Sequence, residues 1–178
     1  MNKAFFFDRD GIVNVKLEND YVKYVDEFIF EQNFFQLFEL IKKQNYLAIL
    51  VTNQQCIHKG IITDNELYEI HSYMQSELLK HTNYQFDDIY YCPDLDSSGS
   101  KYRKPETGMF DDAIKKYNIV PNISFTIGDA ITDIQAGNKV GTKTILVNKY
   151  IKNTEANFHC DNLNQVHNII QTLSNIIK

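Results

Sequence analysis

Lys3-Ala4-Phe5-Phe6-Phe7-Asp8-Arg9-Asp10-Gly11-Ile12-Val13 is an apolar run that ends abruptly on two carboxylates and a glycine. A short strand without polar alternation is buried on both faces, as in the centre of a parallel sheet. Further short apolar runs at Tyr46–Val51, Phe86–Tyr91, Ile123–Ile127 and Lys143–Val147 predict strands in the same style. Helical patterns separate them. In Glu31–Lys43, Phe34, Phe35, Leu37, Phe38, Leu40 and Ile41 form one broad apolar face. Thr63 and Glu66 make a capping box, after which Leu67, Ile70, Met74 and Leu78 recur at helical spacing. Met109, Phe110, Ala113, Ile114 and Tyr117 do the same after Pro105. In Leu163–Ile177, Val166, Ile169, Ile170 and Leu173 read as packing residues that cover the sheet edge. Strands alternating with helices predict an α/β fold: a single Rossmann-like domain over residues 1–178, with a mostly parallel sheet flanked by helices.

Composition agrees with one domain. The chain has 178 residues against about 150 per domain. Its hydrophobic share of 43% and charged share of 23% are those of a globular protein rather than a disordered one. A net charge of −5 argues against a nucleic-acid partner, which calls for a basic face. The three cysteines, Cys56, Cys92 and Cys160, are odd in number and far apart, so we expect no disulfide framework and a reducing, cytoplasmic setting. The first apolar run is four residues long, too short for a signal peptide, and no stretch approaches the roughly 20 residues of a membrane span.

Ligands of open α/β sheets bind beyond the carboxyl ends of the strands, so the residues that follow each strand carry the chemistry. After the first come Asp8 and Asp10, and after the second Thr52-Asn53-Gln54. Arg103-Lys104-Pro105 precedes the third long helix, and Gly128-Asp129 with Asp133 follows the fourth strand. Each group alone is an ordinary loop or cap. Together, an acid pair, a hydroxyl, a cation and a second acid meet the needs of phosphoryl transfer through a carboxyl-phosphate. Five of the seven glycines (Gly11, Gly60, Gly99, Gly108 and Gly128) fall in or beside these segments.

The set resembles the haloacid dehalogenase (HAD) superfamily of phosphatases, whose four motifs stand here as FFFDRDGIV, ILVTNQ, RKP and IGDAITD. The resemblance spans roughly Lys3 to Val147. It implies Asp8 as nucleophile and Asp10 as general acid and base. It places Mg²⁺ on the Asp8 carboxylate, the Asp10 carbonyl and Asp129. Thr52, Lys104 and the Asn53 amide would hold the phosphoryl group, with Asp133 behind them orienting Lys104 or a metal-bound water. Three clustered carboxylates also require a cation on charge grounds. Asp10 to Thr52 is 42 positions and Thr52 to Lys104 is 52, too few for an inserted cap domain beside the elements already read there.

DRDGIVN, DYVKYVDEFIF, VTNQQCIHKG, IYYCP and RKPETGMF resemble the heptose 1,7-bisphosphate phosphatase and histidinol-phosphatase branch. That implies removal of the 7-phosphate from D-glycero-D-manno-heptose 1,7-bisphosphate, in making lipopolysaccharide or related nucleotide-linked heptoses. The alternatives are histidinol phosphate or another small phosphomonoester. The branch implies substrate contacts by Arg103 with Lys104, and Asn14, Gln54, His58 and Lys59 as loop residues toward the sugar or its second phosphate. His58 reads equally as an exposed loop histidine. Two departures stand out. Cys92 is followed by Pro93 and Asp94, and Leu95–Tyr102 holds no cysteine or histidine, so we expect no structural zinc and a mobile loop at 94–102. Ala130 stands where heptose enzymes often carry a lysine. A receiver domain fits poorly, because its phosphorylated Asp follows the third strand, here Tyr91-Cys92-Pro93. A non-catalytic phosphosugar-binding protein is the other rival. The expected partner is a small phosphorylated sugar, and the expected state a monomer.

Overall fold

Strand β1 (Ala4–Phe7) lies in the middle of a parallel six-stranded sheet of order β3-β2-β1-β4-β5-β6. The others are β2 (Leu47–Asn53), β3 (Asp88–Cys92), β4 (Phe125–Gly128), β5 (Lys143–Val147) and β6 (Phe158–Cys160). The computed structural model describes residues 1–151 and 155–176. Among these residues five helices cover the sheet: α1 (Phe34–Lys43), α2 (Asp64–Thr82), α3 (Gly108–Tyr117), α4 (Ile131–Val140) and α5 (Leu163–Ile176). Ile177, the expected end of α5, lies outside the described residues. Among those described, no helix is long and apolar enough to cross a membrane.

The pleat of β1 divides the core in two, because successive side chains point to opposite faces. Phe5 and Phe7 join α1, α2 and α5 through Phe34, Phe38, Ile70, Met74, Val166 and Ile170. Ala4 and Phe6 join α3 and α4 through Met109, Phe110, Ala113 and Ala136. All four β1 side chains are fully buried, as their uniform apolarity requires. Phe5 stacks on Phe125 of β4 with ring centres 4.7 Å apart, and Phe6 meets Phe110 of α3 at 4.9 Å. Val166 and Ile170 are buried, with Ile169 and Leu173 packed beside them, so α5 is a packing helix over that face. The capping box of α2 forms as the sequence implies: Thr63 Oγ1 accepts from the Glu66 amide, and Glu66 accepts from the Thr63 amide at 2.7 Å.

Several elements differ from expectation, among them β3, which runs Asp88–Cys92 rather than Phe86–Tyr91. α1 starts at Phe34 rather than Glu31, because Asn33 takes a left-handed conformation (φ 68°) and Glu31 N–H donates to Val13 in the loop after β1. β2 runs on through Thr52 and Asn53, which were expected in the loop beyond it; they pair with Tyr91 and Cys92. β4 starts at Phe125, after a 3-10 turn over Pro121–Ile123. β6 was not foreseen: with Cys160 in the core and Phe158 packed against it, its three residues are too few to show a periodicity.

The strand order reverses between β1 and β4, which both start from the middle and lead outward. Crevices at such a switch point, outside the carboxyl ends of the strands, are where open α/β sheets bind ligands. Asp8 follows β1 and Asp129 follows β4, one on each side of the switch. Asp10 to Thr52 is filled by a loop with one 3-10 turn (Val25–Glu27), α1 and β2; Thr52 to Lys104 is filled by α2, β3 and a loop.

Candidate active site

Lys104 is the centre of the crevice. Its side chain is 3% exposed, and its ammonium donates to Asp8 Oδ1 at 2.8 Å and to the Val51 carbonyl at 2.7 Å, with Asp133 Oδ1 also at 2.7 Å. All three N–H bonds are thereby used. Burial alone would lower its pKa, but Asp133 and Asp8 outweigh burial and hold it above the usual lysine range. Asp133 does double duty, its Oδ2 accepting from the Ala130 amide at the start of α4. Asn53 fixes the Lys104 main chain from both sides: its Oδ1 accepts from Lys104 N–H at 3.0 Å and its Nδ2 donates to the Lys104 carbonyl at 3.1 Å.

Asp8, Asp129 and Asp133 bring carboxylate oxygens within 4.8 Å of one another. Two glycines make that approach possible. A Cβ on Gly11, whose φ is +92°, would stand 2.7 Å from Asp129 Oδ2, and one on Gly128 would collide with the Asp133 carboxylate. Burial, then the neighbouring Asp133 and Asp10 charges, push the Asp8 carboxyl up to about 6 despite Lys104. Burial and Asp8 push Asp129 up as well. Asp129 Oδ1 is buried with no hydrogen-bond partner, while Lys16 Nζ rests on its Oδ2 at 2.6 Å. An all-oxygen donor set with excess negative charge and an orphaned buried lone pair fits a hard divalent cation.

Asp10 has the opposite surroundings. Its Oδ1 accepts from Arg9 Nε and Nη2 and from Asn14 Nδ2, and its Oδ2 accepts from Gln54 Nε2 at 2.8 Å. Burial raises its pKa, yet the Arg9 charge and the donated bonds more than compensate and hold it below the usual carboxylate range. Arg9 is fully buried, and its Nη1 meets His71 Nε2 on α2 at 3.4 Å. Burial, and then Arg9, push the His71 imidazole down to about 3, so it faces the guanidinium neutral and as an acceptor.

Asp8, Asp10, Asn53, Lys104, Asp129 and Asp133 line one cleft of about 200 Å³. Lys16, Asp20 and Tyr21, from the loop after β1, form its rim. Not every expected residue arrives. Thr52 is 1% exposed, lies in β2 and accepts from Gln54 Nε2 instead of facing the cleft. Asn14 and Gln54, expected toward a sugar, are buried and hold Asp10. Arg103 turns to the loop beyond β3, donating to the Asp94 carbonyl at 2.9 Å beside Asp96. That loop contains a 3-10 turn (Asp96–Ser98), with Ser98 Oγ donating to the Leu95 carbonyl. His58 is exposed, and Lys59 donates to the Tyr21 hydroxyl. Cys92 is a fully buried strand-end residue. Lys16, Arg9 and His71 are the residues that sequence reasoning missed. An arginine enclosed between two aspartates at the end of an apolar run was the one available signal.

Comparisons with known proteins point the same way. The HAD-hydrolase-like family profile matches residues 101–174. The D-glycero-β-D-manno-heptose-1,7-bisphosphate 7-phosphatase of Helicobacter pylori J99 is 33% identical over 93% of this chain and 95% of its own. The corresponding α-heptose enzyme of Campylobacter jejuni is also 33% identical, over 95% and 96%. Among solved structures, D,D-heptose 1,7-bisphosphate phosphatase from B. bronchiseptica, complexed with magnesium and phosphate, superposes with a TM-score of 0.86 at 26% identity, covering 96% and 98% of the two chains. At these identities and coverages the chain belongs to the HAD-like phosphatases, in the branch of the heptose-1,7-bisphosphate 7-phosphatases.

Proposed function

We propose that this enzyme removes the 7-phosphate of D-glycero-D-manno-heptose 1,7-bisphosphate. The observation that carries the chemistry is the contrast within the cleft. Asp8 is a carboxylate short of positive charge and Asp10 one saturated with donors, and both face the same 200 Å³ space. Relatives named for the β and the α anomer match equally well, so the reading is of the heptose bisphosphate without a choice of anomer.

In this reading Asp8 attacks phosphorus through Oδ2, the oxygen that Lys104 leaves free. The P–O bond to the sugar breaks, and an aspartyl-phosphate forms on Asp8. Lys104 fixes the attacking carboxylate and faces the phosphoryl oxygens, itself braced by Asp133 and Asn53. Asp10 moves the proton. Three donors crowd its Oδ1, so Oδ2, with only Gln54 on it, is the oxygen that takes a proton as the anionic phosphate enters beside it, passes that proton to the leaving alkoxide and later takes one from the hydrolytic water. The Asp8 and Asp129 carboxylates and the Asp10 carbonyl would hold Mg²⁺, which supplies the positive charge that lets a phosphate approach five lining carboxylates. Thr52 Oγ1 accepts from Gln54 Nε2 and so steadies the amide that donates to Asp10.

The chain is read as one capless domain, so the cleft stays open and the loop after β1 shapes it. The reading is of a cytoplasmic monomer without structural zinc; the Cys92 thiol has the oxygens of Asp94 and Ser100 as neighbours. The test is Mg²⁺-dependent phosphate release from heptose 1,7-bisphosphate and histidinol phosphate, with Asp8→Asn as control. We expect preference for the heptose and a loss of at least about 1,000-fold in the variant. Turnover that survives in Asp8→Asn would sink the mechanism, and equal rates on the two substrates would sink the substrate assignment.

A further inference from the structure

Two ammonium groups line the cleft among its described residues, those of Lys104 and Lys16. They are in different conditions. Lys104 is buried, with all three N–H bonds committed to Asp8, Asp133 and Val51. Lys16 comes from the loop after β1, its side chain is 54% exposed, and its single contact of this kind is Asp129 Oδ2 at 2.6 Å. Arg103, the cation next to Lys104 in sequence, is turned to Asp94 and Asp96.

Asp129 carries a second oxygen that is buried and unpartnered, and it belongs to the carboxylate group suited to a divalent ion. Once Mg²⁺ takes Asp129, an ammonium at contact distance is repelled by the ion and loses its share of the carboxylate. A half-exposed lysine with a four-carbon stem then stays tethered at the rim with its N–H donors free. The phosphate undergoing transfer meets Lys104 deep in the cleft. A substrate with a second anionic group presents that group nearer the rim, where Lys16 stands.

We propose that Lys16 binds the second, non-reacting phosphate of the substrate and that Asp129 holds it in place until metal arrives. The inference rests on the phosphatase reading above and names what selects a bisphosphate over a monophosphate in that same cleft. It also gives this chain a cation beside Asp129, the chain neighbour of Ala130, in the same cleft.

The experiment compares wild type, Lys16→Met and Lys16→Arg, all loaded with Mg²⁺, on heptose 1,7-bisphosphate and on heptose 7-phosphate. A charge-assisted hydrogen bond to phosphate at a half-exposed site predicts that the bisphosphate-to-monophosphate ratio of kcat/KM falls about tenfold in Lys16→Met, through KM, and returns in Lys16→Arg. A ratio unchanged in Lys16→Met overturns the proposal and leaves the phosphatase reading standing. If wild type hydrolyses neither compound, that reading falls and the proposal falls with it. Calorimetric titration of Mg²⁺ into the substrate-free protein at low salt is the second readout. Removing the resident ammonium should tighten Mg²⁺ several-fold, and equal affinity in wild type and Lys16→Met overturns the holding role of Asp129.

Discussion

Asp8 and Asp10 leave the same strand two residues apart, and the protein treats them in opposite ways. Around Asp8 stand Asp129 and Asp133, with one buried lysine shared between Asp8 and Asp133, and the carboxyl is pushed up to about 6. Around Asp10 stand a buried guanidinium and two amides, and the carboxyl is held down. One aspartate is neutralised from inside the fold, whereas the other is left to be neutralised by what binds. That division suits a nucleophile that must accept a phosphoryl group beside a metal and an acid-base residue whose orientation must not depend on the metal. Added cation should therefore repair damage on the Asp8 side alone.

The strongest way to break this comparison is Lys104→Met. It leaves Asp8 and Asp133 without their shared cation in a dry site, where removing one partner of a buried pair costs about 3–5 kcal/mol. We expect that loss in chelator, read by urea unfolding, together with loss of turnover. Millimolar Mg²⁺ should then stabilise the variant more than it stabilises wild type, because the ion replaces part of the missing charge. Equal Mg²⁺ effects would mean that the metal and Lys104 act on separate carboxylates, and the comparison would fail on its Asp8 side.

Arg9→Met is the matching change on the other side. Asp10 is about a quarter exposed, so water takes up part of the lost pairing, and the expected cost is about 2–3 kcal/mol. Here Mg²⁺ should restore no more than it adds to wild type, since the proposed metal contact of Asp10 is its carbonyl and not its carboxylate. A Mg²⁺ rescue equal to that of Lys104→Met would erase the distinction between the two aspartates.

The legible part of this site was the part carried by adjacency along the chain. Asp8, Asp10, Asp129 and Lys104 sit just past strands or before a helix, so the strand pattern places them at one end of the sheet and the structure gathers them there. What stayed hidden was set by pleat and by distance. Whether Thr52 faces the cleft depends on β2 running two residues further than its apolar run, which pairing with β3 decides and local sequence does not. Asn14 and Gln54 stand in loops that read as substrate contacts, yet both turn inward because Asp10 needs donors and their own amides need burial partners. Lys16 meets Asp129 across 113 positions, and Arg9 meets His71 across 62. No periodicity encodes such contacts. The aromatic core was legible for the converse reason: four consecutive apolar residues in β1 fill two faces whatever their partners are.

The smallest effect, and the finest test of the comparison, is in the pH dependence of stability of the metal-free protein. In the fold His71 stays neutral down to about pH 3, whereas an exposed histidine in the unfolded chain takes a proton near 6.5. Below that pH the unfolded state binds more protons, so His71 makes the protein lose stability as pH falls. Asp8 acts with the other sign. Its folded carboxyl is protonated below about 6 while the unfolded one stays ionised to about 4, so between those values acid favours the fold. Unfolding midpoints measured from pH 6.5 down to pH 4 in chelator should therefore respond in opposite directions to two substitutions. His71→Gln should flatten the loss of stability on acidification, and Asp8→Asn should steepen it. The two slopes moving the same way would show that the Arg9 side and the Asp8 side titrate as one network. In that case the fold would not be keeping its two aspartates electrostatically apart.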